Sequence, residues 1–146
     1  MTFQSSDFNV CILGGINIDF FSVVKDMPVA GETIVGSDFF VTPGGKGANQ
    51  AVACSRLGLN TVMIGRVGND DFANNLIENF KNENISVEGV FKDSSTYTGV
   101  ANIILDSDGQ NSIIQAPGAN YLCQDEELNY LKNIIKDIDL LVLQSE

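Results

Sequence analysis

The chain has 146 residues, of which 44% are hydrophobic and 8% aromatic, as is typical of one soluble globular domain. It carries 19 acidic residues against 8 Lys and Arg residues, a formal net charge of −11, which argues against nucleic acids and anionic membrane surfaces as partners. The sequence contains no histidine, which excludes catalysis by Ser-His-Asp or Cys-His arrangements and metal sites built on histidine.

The cysteines Cys11, Cys54 and Cys123 are odd in number and match no metal-binding spacing. We therefore interpret them as reduced, mostly buried thiols of a cytoplasmic protein. The start of the chain lacks the positive end of a signal peptide, and glycines interrupt its apolar run "VCILGGI". No stretch approaches the length of a membrane-spanning helix. The sequence thus predicts neither a secreted nor a membrane protein.

The first sixty residues predict strands followed by a helix. Residues 8–15 predict a short buried strand that ends in glycines. Residues 20–41 predict two short β-rich runs around a turn that contains Pro and Gly. Residues 46–58 predict a helix, because small and apolar residues share one face and Gly58 provides a stop.

The middle of the chain continues this alternation. Residues 61–68 predict a second buried strand. The next segment predicts a helix with Asp70 and Asp71 at its start, where acidic groups are favourable. Its apolar stripe consists of Phe72, Leu76, Ile77 and Phe80. Residues 97–105 and 111–116 predict a hairpin, because Asp and Gly occupy the connection.

The last third predicts one more helix and one more strand. Residues 125–138 predict a helix whose apolar face carries Leu128, Leu131, Ile135 and Ile138. The final run "DLLVLQSE" is typical of a strand in a parallel sheet. Buried strands that alternate with amphipathic helices predict an α/β fold, and the β-rich stretches 20–41 and 97–116 predict a small sheet that stands off its core.

The glycine-rich stretch "GGKGANQA", residues 44–51, opens the first predicted helix. It is not a Walker phosphate loop, because Phe40 stands at the first glycine position and Gly47 replaces Ser or Thr. It also lacks the spacing of a dinucleotide fingerprint. The stretch suits close approach of backbone amides to a ligand, with Lys46 and Asn49 as polar contacts. A tight turn with an exposed lysine and a capping asparagine remains an equal alternative.

The stretch "GGINID", residues 14–19, follows the first buried strand. Asn17 and Asp19 point to the same side of an extended segment, at the strand end where α/β proteins place ligand groups. An aspartate can accept hydrogen bonds from two adjacent hydroxyl groups, which favours a polyhydroxylated ligand. A turn asparagine and a solvated aspartate are the alternative interpretation.

Six segments together resemble the ribokinase-like (PfkB) carbohydrate kinase family, in the family's order: "GGINIDF", "PVAGETIVG", "GGKGANQAVACSRLG", "IGRVGNDDFANNL", "TYTGVANIIL" and "PGAN". The resemblance covers nearly the whole chain. It implies that residues 1–146 are the N-terminal part of a ribokinase-like domain, a parallel-sheet α/β core with a protruding β lid sheet. The lid strands would lie at about 17–42 and 97–116, and in the family this sheet often pairs two subunits. We therefore expect a homodimer formed through the lid.

The resemblance also implies a set of sugar-binding residues, from the two glycine-flanked segments and the last residue of the chain: Asn17, Asp19, Gly45, Lys46, Gly47, Asn49 and Glu146. Asn17 and Asp19 would hydrogen-bond sugar hydroxyls, and the two glycines would let the backbone approach the sugar. Lys46 and Asn49 would bond to it from the helix start. Glu146 matches a family glutamate that touches the sugar.

The family's catalytic signature has no match in this sequence. That signature is a "GAGD" turn whose aspartate acts as the general base. Asn75 and Glu78 formally match an N-x-x-E motif tied to magnesium, but they lie on a predicted amphipathic helix, and we interpret them as a solvated face. We expect the C-terminal ATP-binding and catalytic part to be absent, with no catalytic or metal-binding residue in this chain. ATP, Mg²⁺ and a monovalent cation would belong to the full-length parent, and the chain alone would be inactive.

The resemblance implies ATP-dependent phosphorylation of D-ribose at its 5-hydroxyl by the full-length parent, because "GGKGANQA" is typical of the ribose-specific members. Two alternatives stay open. The parent could act on another pentose, deoxyribose, a nucleoside or fructose. The chain could also be a non-catalytic module for sugar binding or oligomerisation.

Overall fold

The structure is a computed structural model that describes residues 7–145. Its core is a four-stranded, wholly parallel sheet in the order β5-β4-β1-β8. These strands are β1 (Asn9–Leu13), β4 (Asn60–Gly68), β5 (Ile85–Asp93) and β8 (Leu140–Leu143). The interior strands β1 and β4 are largely buried, as expected for a parallel sheet that helices cover.

Three α-helices accompany this sheet: α1 (Lys46–Arg56), α2 (Asp71–Asn82) and α3 (Asp125–Ile134). Leu76 and Phe80 of α2 and Ala48 and Ala51 of α1 enter the main hydrophobic core, so these two helices follow their predicted apolar faces. Asp70 caps α2 by accepting a hydrogen bond from the Ala73 backbone N–H at 2.9 Å. Two short 3₁₀ segments, Gly118–Leu122 and Ile135–Asp137, precede and follow α3.

A second four-stranded sheet has the order β3-β2-β6-β7. Its strands are β2 (Asn17–Val23), β3 (Asp38–Gly44), β6 (Gly99–Leu105) and β7 (Asn111–Ala116). Strands β2 and β6 run parallel, while β3 and β7 add antiparallel edges. The predicted α/β fold with a small additional sheet is therefore confirmed, and the two β-rich stretches form that sheet.

The two sheets meet at the turn between β1 and β2. The Gly14 backbone N–H donates to the Ile64 carbonyl of β4 at 3.2 Å, which holds the turn against the core sheet. The Gly15 carbonyl accepts from the Ala48 backbone N–H at 3.1 Å, which brings in the first turn of α1. The start of β2 and the start of α1 are thus fixed side by side.

Helix α3 is anchored by an ion-pair cluster. The Arg66 guanidinium of β4 donates to both carboxylate oxygens of Glu127, at 2.7 and 3.1 Å, and the Glu127 side chain is fully buried. Glu127 also accepts from the Gln124 backbone N–H at 2.8 Å, closing a capping box. Asp93 and Glu126 complete the cluster around Arg66.

The structure differs from the sequence predictions at strand β5 and at helix α3. Strand β5 was not predicted, because Glu88, Gly89 and Lys92 interrupt its apolar pattern. Helix α3 ends at Ile134. Of its predicted apolar face, Leu128 and Ile135 are 47% and 45% exposed, whereas Leu131 and Ile138 are half-buried.

The three cysteines are free thiols as predicted, but their predicted burial needs correction. Cys123 is exposed, whereas Cys11 is buried and Cys54 half-buried. Cys123 directly follows the 3₁₀ segment Gly118–Leu122 and does not lie in a strand or on a packed helix face. Within residues 7–145, no helix is both long and apolar enough to cross a membrane.

Candidate functional site

A cavity of about 330 Å³ lies where the two sheets meet, and we call it the junction cavity. One part of its wall comes from the β1–β2 turn, the start of β2, the start of α1 and the residue after β8: Gly15, Asn17, Asp19, Gly45, Lys46, Asn49 and Gln144. Five of these belong to the predicted sugar-binding set. Residues from the two glycine-flanked segments, 14–19 and 44–51, therefore share one cavity. Glu146 lies outside the residues that the structure describes.

The Asp19 carboxylate supplies the negative charge of the cavity wall. Its Oδ1 atom is buried and has no hydrogen-bond partner among residues 7–145. Burial raises the pKa of this carboxyl above its ordinary value. The carboxylate lies over Gly44, where a Cβ atom would come within 2.2 Å of the Asp19 carboxyl carbon. A buried, unpaired acceptor is costly unless a ligand satisfies it, so Asp19 marks the place where a donor is needed.

Asn17 lies at the start of β2 and is 7% exposed. Its Oδ1 atom accepts a hydrogen bond from Asn120 Nδ2 at 2.8 Å. The Asn17 amide nitrogen therefore remains available to donate to a ligand in the cavity that Asn17 lines. Asn17 and Asp19 are two residues apart on one strand and face the same cavity, as the alternation of β2 predicts.

The first turn of α1 forms another part of the wall, through Gly45, Lys46 and Asn49. Gly45 precedes the helix with a φ of 94°, a conformation that strongly favours glycine, and no side chain caps the helix start. The start of a helix carries a partial positive charge and backbone N–H groups without intrahelical partners. Lys46 and Asn49 are exposed side chains at this end. The arrangement offers donors to ligand oxygens.

Gly47 is not among the residues that line the junction cavity. It is buried against the β1–β2 turn, where an added Cβ atom would lie 2.8 Å from the Gly14 Cα atom. The structure therefore gives Gly47 a packing position that lets α1 approach the turn closely. This contact fixes the distance between the helix start and the strand that carries Asn17 and Asp19.

The second sheet, whose strand β2 carries Asn17 and Asp19, also provides the rest of the wall. Four residues of its β6–β7 hairpin line the cavity: Ala101, Ile103, Ile113 and Gln115. These four residues were not predicted as site residues, although their i, i+2 spacing on two paired strands could have placed them on one face. Gln144 was also missed. Its Oε1 atom accepts from the Gly15 backbone N–H at 2.9 Å, a contact that the sequence could not indicate because 129 residues separate the two.

The comparisons with known proteins all indicate the same family. The model of the "pfkB family carbohydrate kinase" matches residues 7–145. Ribokinase from Mus musculus is 39% identical over 137 residues, which cover 94% of this chain and 42% of that protein. The chain therefore spans less than half the length of this relative.

Solved structures resemble the chain in the same way. The structure of ribokinase from Giardia lamblia matches with a TM-score of 0.86 and 31% identity, covering 95% of this chain and 42% of that one. The structure of Arabidopsis thaliana ribokinase complexed with ribose and ATP matches with a TM-score of 0.77 and 31% identity, covering 94% and 45%.

Proposed function

Because the chain belongs to the pfkB family of carbohydrate kinases, we propose that it supplies the sugar-binding part of an ATP-dependent kinase that phosphorylates D-ribose at its 5-hydroxyl. One observation carries the proposal. The Asp19 Oδ1 atom is buried at the junction cavity without a hydrogen-bond partner among the described residues. A sugar hydroxyl that donates to this atom supplies the missing partner.

The cavity wall meets a monosaccharide with complementary groups. Asp19 accepts hydrogen bonds from hydroxyls, Asn17 donates to them, and the first turn of α1 adds donors around Gly45. Hydrogen bonds to a charged partner contribute about 1.5–3 kcal/mol each. A sugar that lacks one of these hydroxyls leaves a buried polar group unpaired, so the site discriminates against deoxygenated analogues.

We propose that the second sheet acts as the lid of this site. Ile103 and Ile113 face the cavity and present apolar surface to the carbon face of the sugar. The same sheet exposes apolar side chains outside the cavity, including Phe39 at 60% and Ile114 at 70%. We assign these exposed side chains to pairing with a second copy of the chain. The proposed setting is the cytoplasm.

ATP, Mg²⁺ and a monovalent cation belong to the proposal for the whole kinase. Within residues 7–145, no group of three or more His, Cys, Asp or Glu side chains is placed to hold a metal ion. Among the described residues, Asp19 provides the one carboxylate of the junction cavity, which suits hydroxyl groups better than phosphate. We therefore assign to these residues the binding and orientation of the sugar and no step of the phosphoryl transfer.

The proposal is tested by comparing Asp19→Asn with Asp108→Asn. Asp108 is an exposed aspartate in the loop between β6 and β7, so its variant controls for the same chemical change. Calorimetric titration with ribose is expected to show binding to the wild type and to Asp108→Asn. Asp19→Asn should bind at least about tenfold more weakly, since a charge-assisted hydrogen bond is lost. Wild-type affinity in Asp19→Asn would refute the proposal.

A further inference from the structure

We propose that Asn120 is a positioning residue of the sugar site: its side-chain amide fixes the direction of the Asn17 amide, so that Asn17 offers the ligand donors and no acceptor. This inference rests on the proposed function, because it concerns how Asn17 meets a sugar. Asn120 lies in the 3₁₀ segment Gly118–Leu122, 103 residues after Asn17, and is not among the residues that line the junction cavity.

The orientation of the Asn120 amide is determined by backbone groups. Its Oδ1 atom accepts from the Ile16 backbone N–H at 2.9 Å. Its Nδ2 atom donates toward the Ile16 carbonyl at 3.1 Å and the Pro117 carbonyl at 3.0 Å. A backbone N–H can only donate and a carbonyl can only accept, so the reversed amide would face like groups at all three positions. The side chain thus pairs with Ile16 as a neighbouring strand would, one residue before β2 begins.

This fixed amide determines the orientation of Asn17. The Asn120 Nδ2 atom shares its two hydrogens among the two backbone carbonyls and Asn17 Oδ1, which is the nearest of the three acceptors at 2.8 Å. If the Asn17 amide were reversed, two NH₂ groups would face each other and the bond would be lost. Gly99 makes room for the pair, because a Cβ atom there would lie 2.2 Å from Asn120 Nδ2 and 2.3 Å from Asn17 Oδ1. The Asn17 Nδ2 atom is consequently the polar atom left for a ligand.

The result is a fixed order of hydrogen-bonding groups along β2. Asn17 donates, and Asp19, two residues further, accepts through its carboxylate. A hydroxyl group can both donate and accept, so neighbouring hydroxyls of one sugar satisfy both residues. An anionic group that only accepts would satisfy Asn17 but would meet the negative charge of Asp19. Asn120 therefore contributes to ligand selection without contacting the ligand.

Asn120→Asp tests this directly, because the two side chains are nearly isosteric. The variant keeps an oxygen for the Ile16 N–H but places the other against the Asn17 Oδ1 atom and two carbonyls. Reversal of the Asn17 amide relieves the contact with Asn17 and turns its acceptor to the cavity. Calorimetry on the full-length protein should show that the variant binds ribose about ten- to a hundredfold more weakly than the wild type. Asn129→Asp, an exposed position on α3, is the matched control and should bind normally.

A double-mutant cycle separates positioning from general damage to the structure. If Asn120 acts through Asn17, Asn120→Asp should change ribose affinity by less than about twofold in an Asn17→Ala background, because interacting residues are not additive. An equal loss in both backgrounds would assign Asn120 a merely structural role and overturn the inference. Melting temperatures of all variants are recorded alongside.

Asn17→Asp provides a second test that does not depend on the folding of an Asn120 variant. It retains an acceptor for Asn120 and replaces the donor at the cavity with an acceptor, so ribose affinity should fall about tenfold or more while Asn120 keeps its bonds. Wild-type affinity in Asn120→Asp would overturn the inference alone, whereas wild-type affinity in Asn17→Asp would overturn the inference together with the proposed donation from Asn17 to the sugar. A wild type that binds no ribose would overturn the proposed function itself, so the two failures are distinguishable.

Discussion

The cluster around Arg66 gives a sharp prediction about stability, because two adjacent glutamates bind the same guanidinium at different depths. The Glu127 side chain is fully buried, whereas that of Glu126 is 63% exposed. Glu127→Gln and Glu126→Gln are the same chemical change on the same helix. Their comparison isolates the effect of burial from the loss of one negative charge.

The expected magnitudes follow from the contacts of each carboxylate. Glu127 accepts two hydrogen bonds from Arg66 and one from the Gln124 backbone N–H. Breaking a buried ion pair costs about 3–5 kcal/mol, and we expect about 3 kcal/mol for Glu127→Gln because Arg66 retains Asp93 and Glu126. Exposed ion pairs contribute only about 0–1 kcal/mol, which sets the expectation for Glu126→Gln.

Urea unfolding followed by far-UV circular dichroism measures both variants. The free energy of unfolding should fall by the stated amounts, with the dependence on urea concentration unchanged because the surface exposed on unfolding is the same. Equal losses in the two variants, or a loss below about 1 kcal/mol for Glu127→Gln, would refute the reasoning that burial makes this pair important.

Two further predictions concern the junction cavity and the second sheet. Burial raises the pKa of Asp19, so the carboxylate that accepts from the sugar is lost as pH falls through that raised value. Calorimetry should therefore show ribose affinity decreasing on acidification, while the same protonation stabilises the empty protein. An affinity that does not change through this pH range would contradict the assignment. Light scattering at tens of micromolar should show that the chain self-associates. Ile114→Lys should shift it toward monomer, because Ile114 is 70% exposed on β7 and does not line the cavity. A purely monomeric wild type would contradict pairing.

Local patterns in the sequence predicted much of the fold. Helices α1 and α2 were predicted by apolar residues at helical spacing, and the β6–β7 hairpin by its turn residues. Strand β5 was missed because polar residues and Gly89 break its pattern, yet it pairs along most of β4. The apolar face of α3 was predicted from periodicity, but periodicity does not determine what packs against a helix, and Leu128 remains exposed.

In the candidate site, too, residues in short motifs could be predicted, whereas residues that are distant in the sequence could not. Asn17, Asp19 and the start of α1 belong to short motifs, so the sequence could indicate them as parts of one binding site. Asn120 and Gln144 act on the β1–β2 turn from 104 and 129 residues away, through backbone atoms of Ile16 and Gly15. Such contacts depend on the tertiary structure, and no local pattern in the sequence indicates them.

The bond from Gly15 to Gln144 has a consequence for the order of events during synthesis. Strand β8 pairs with β1, so β1 waits until residues 140–143 have been synthesised before this neighbour arrives. Pairings between such distant segments pay a large loop-closure entropy and slow folding. Nascent chains that have not yet exposed residue 144 therefore lack this hydrogen bond of the β1–β2 turn, and the ligand pocket is incomplete until that residue has emerged.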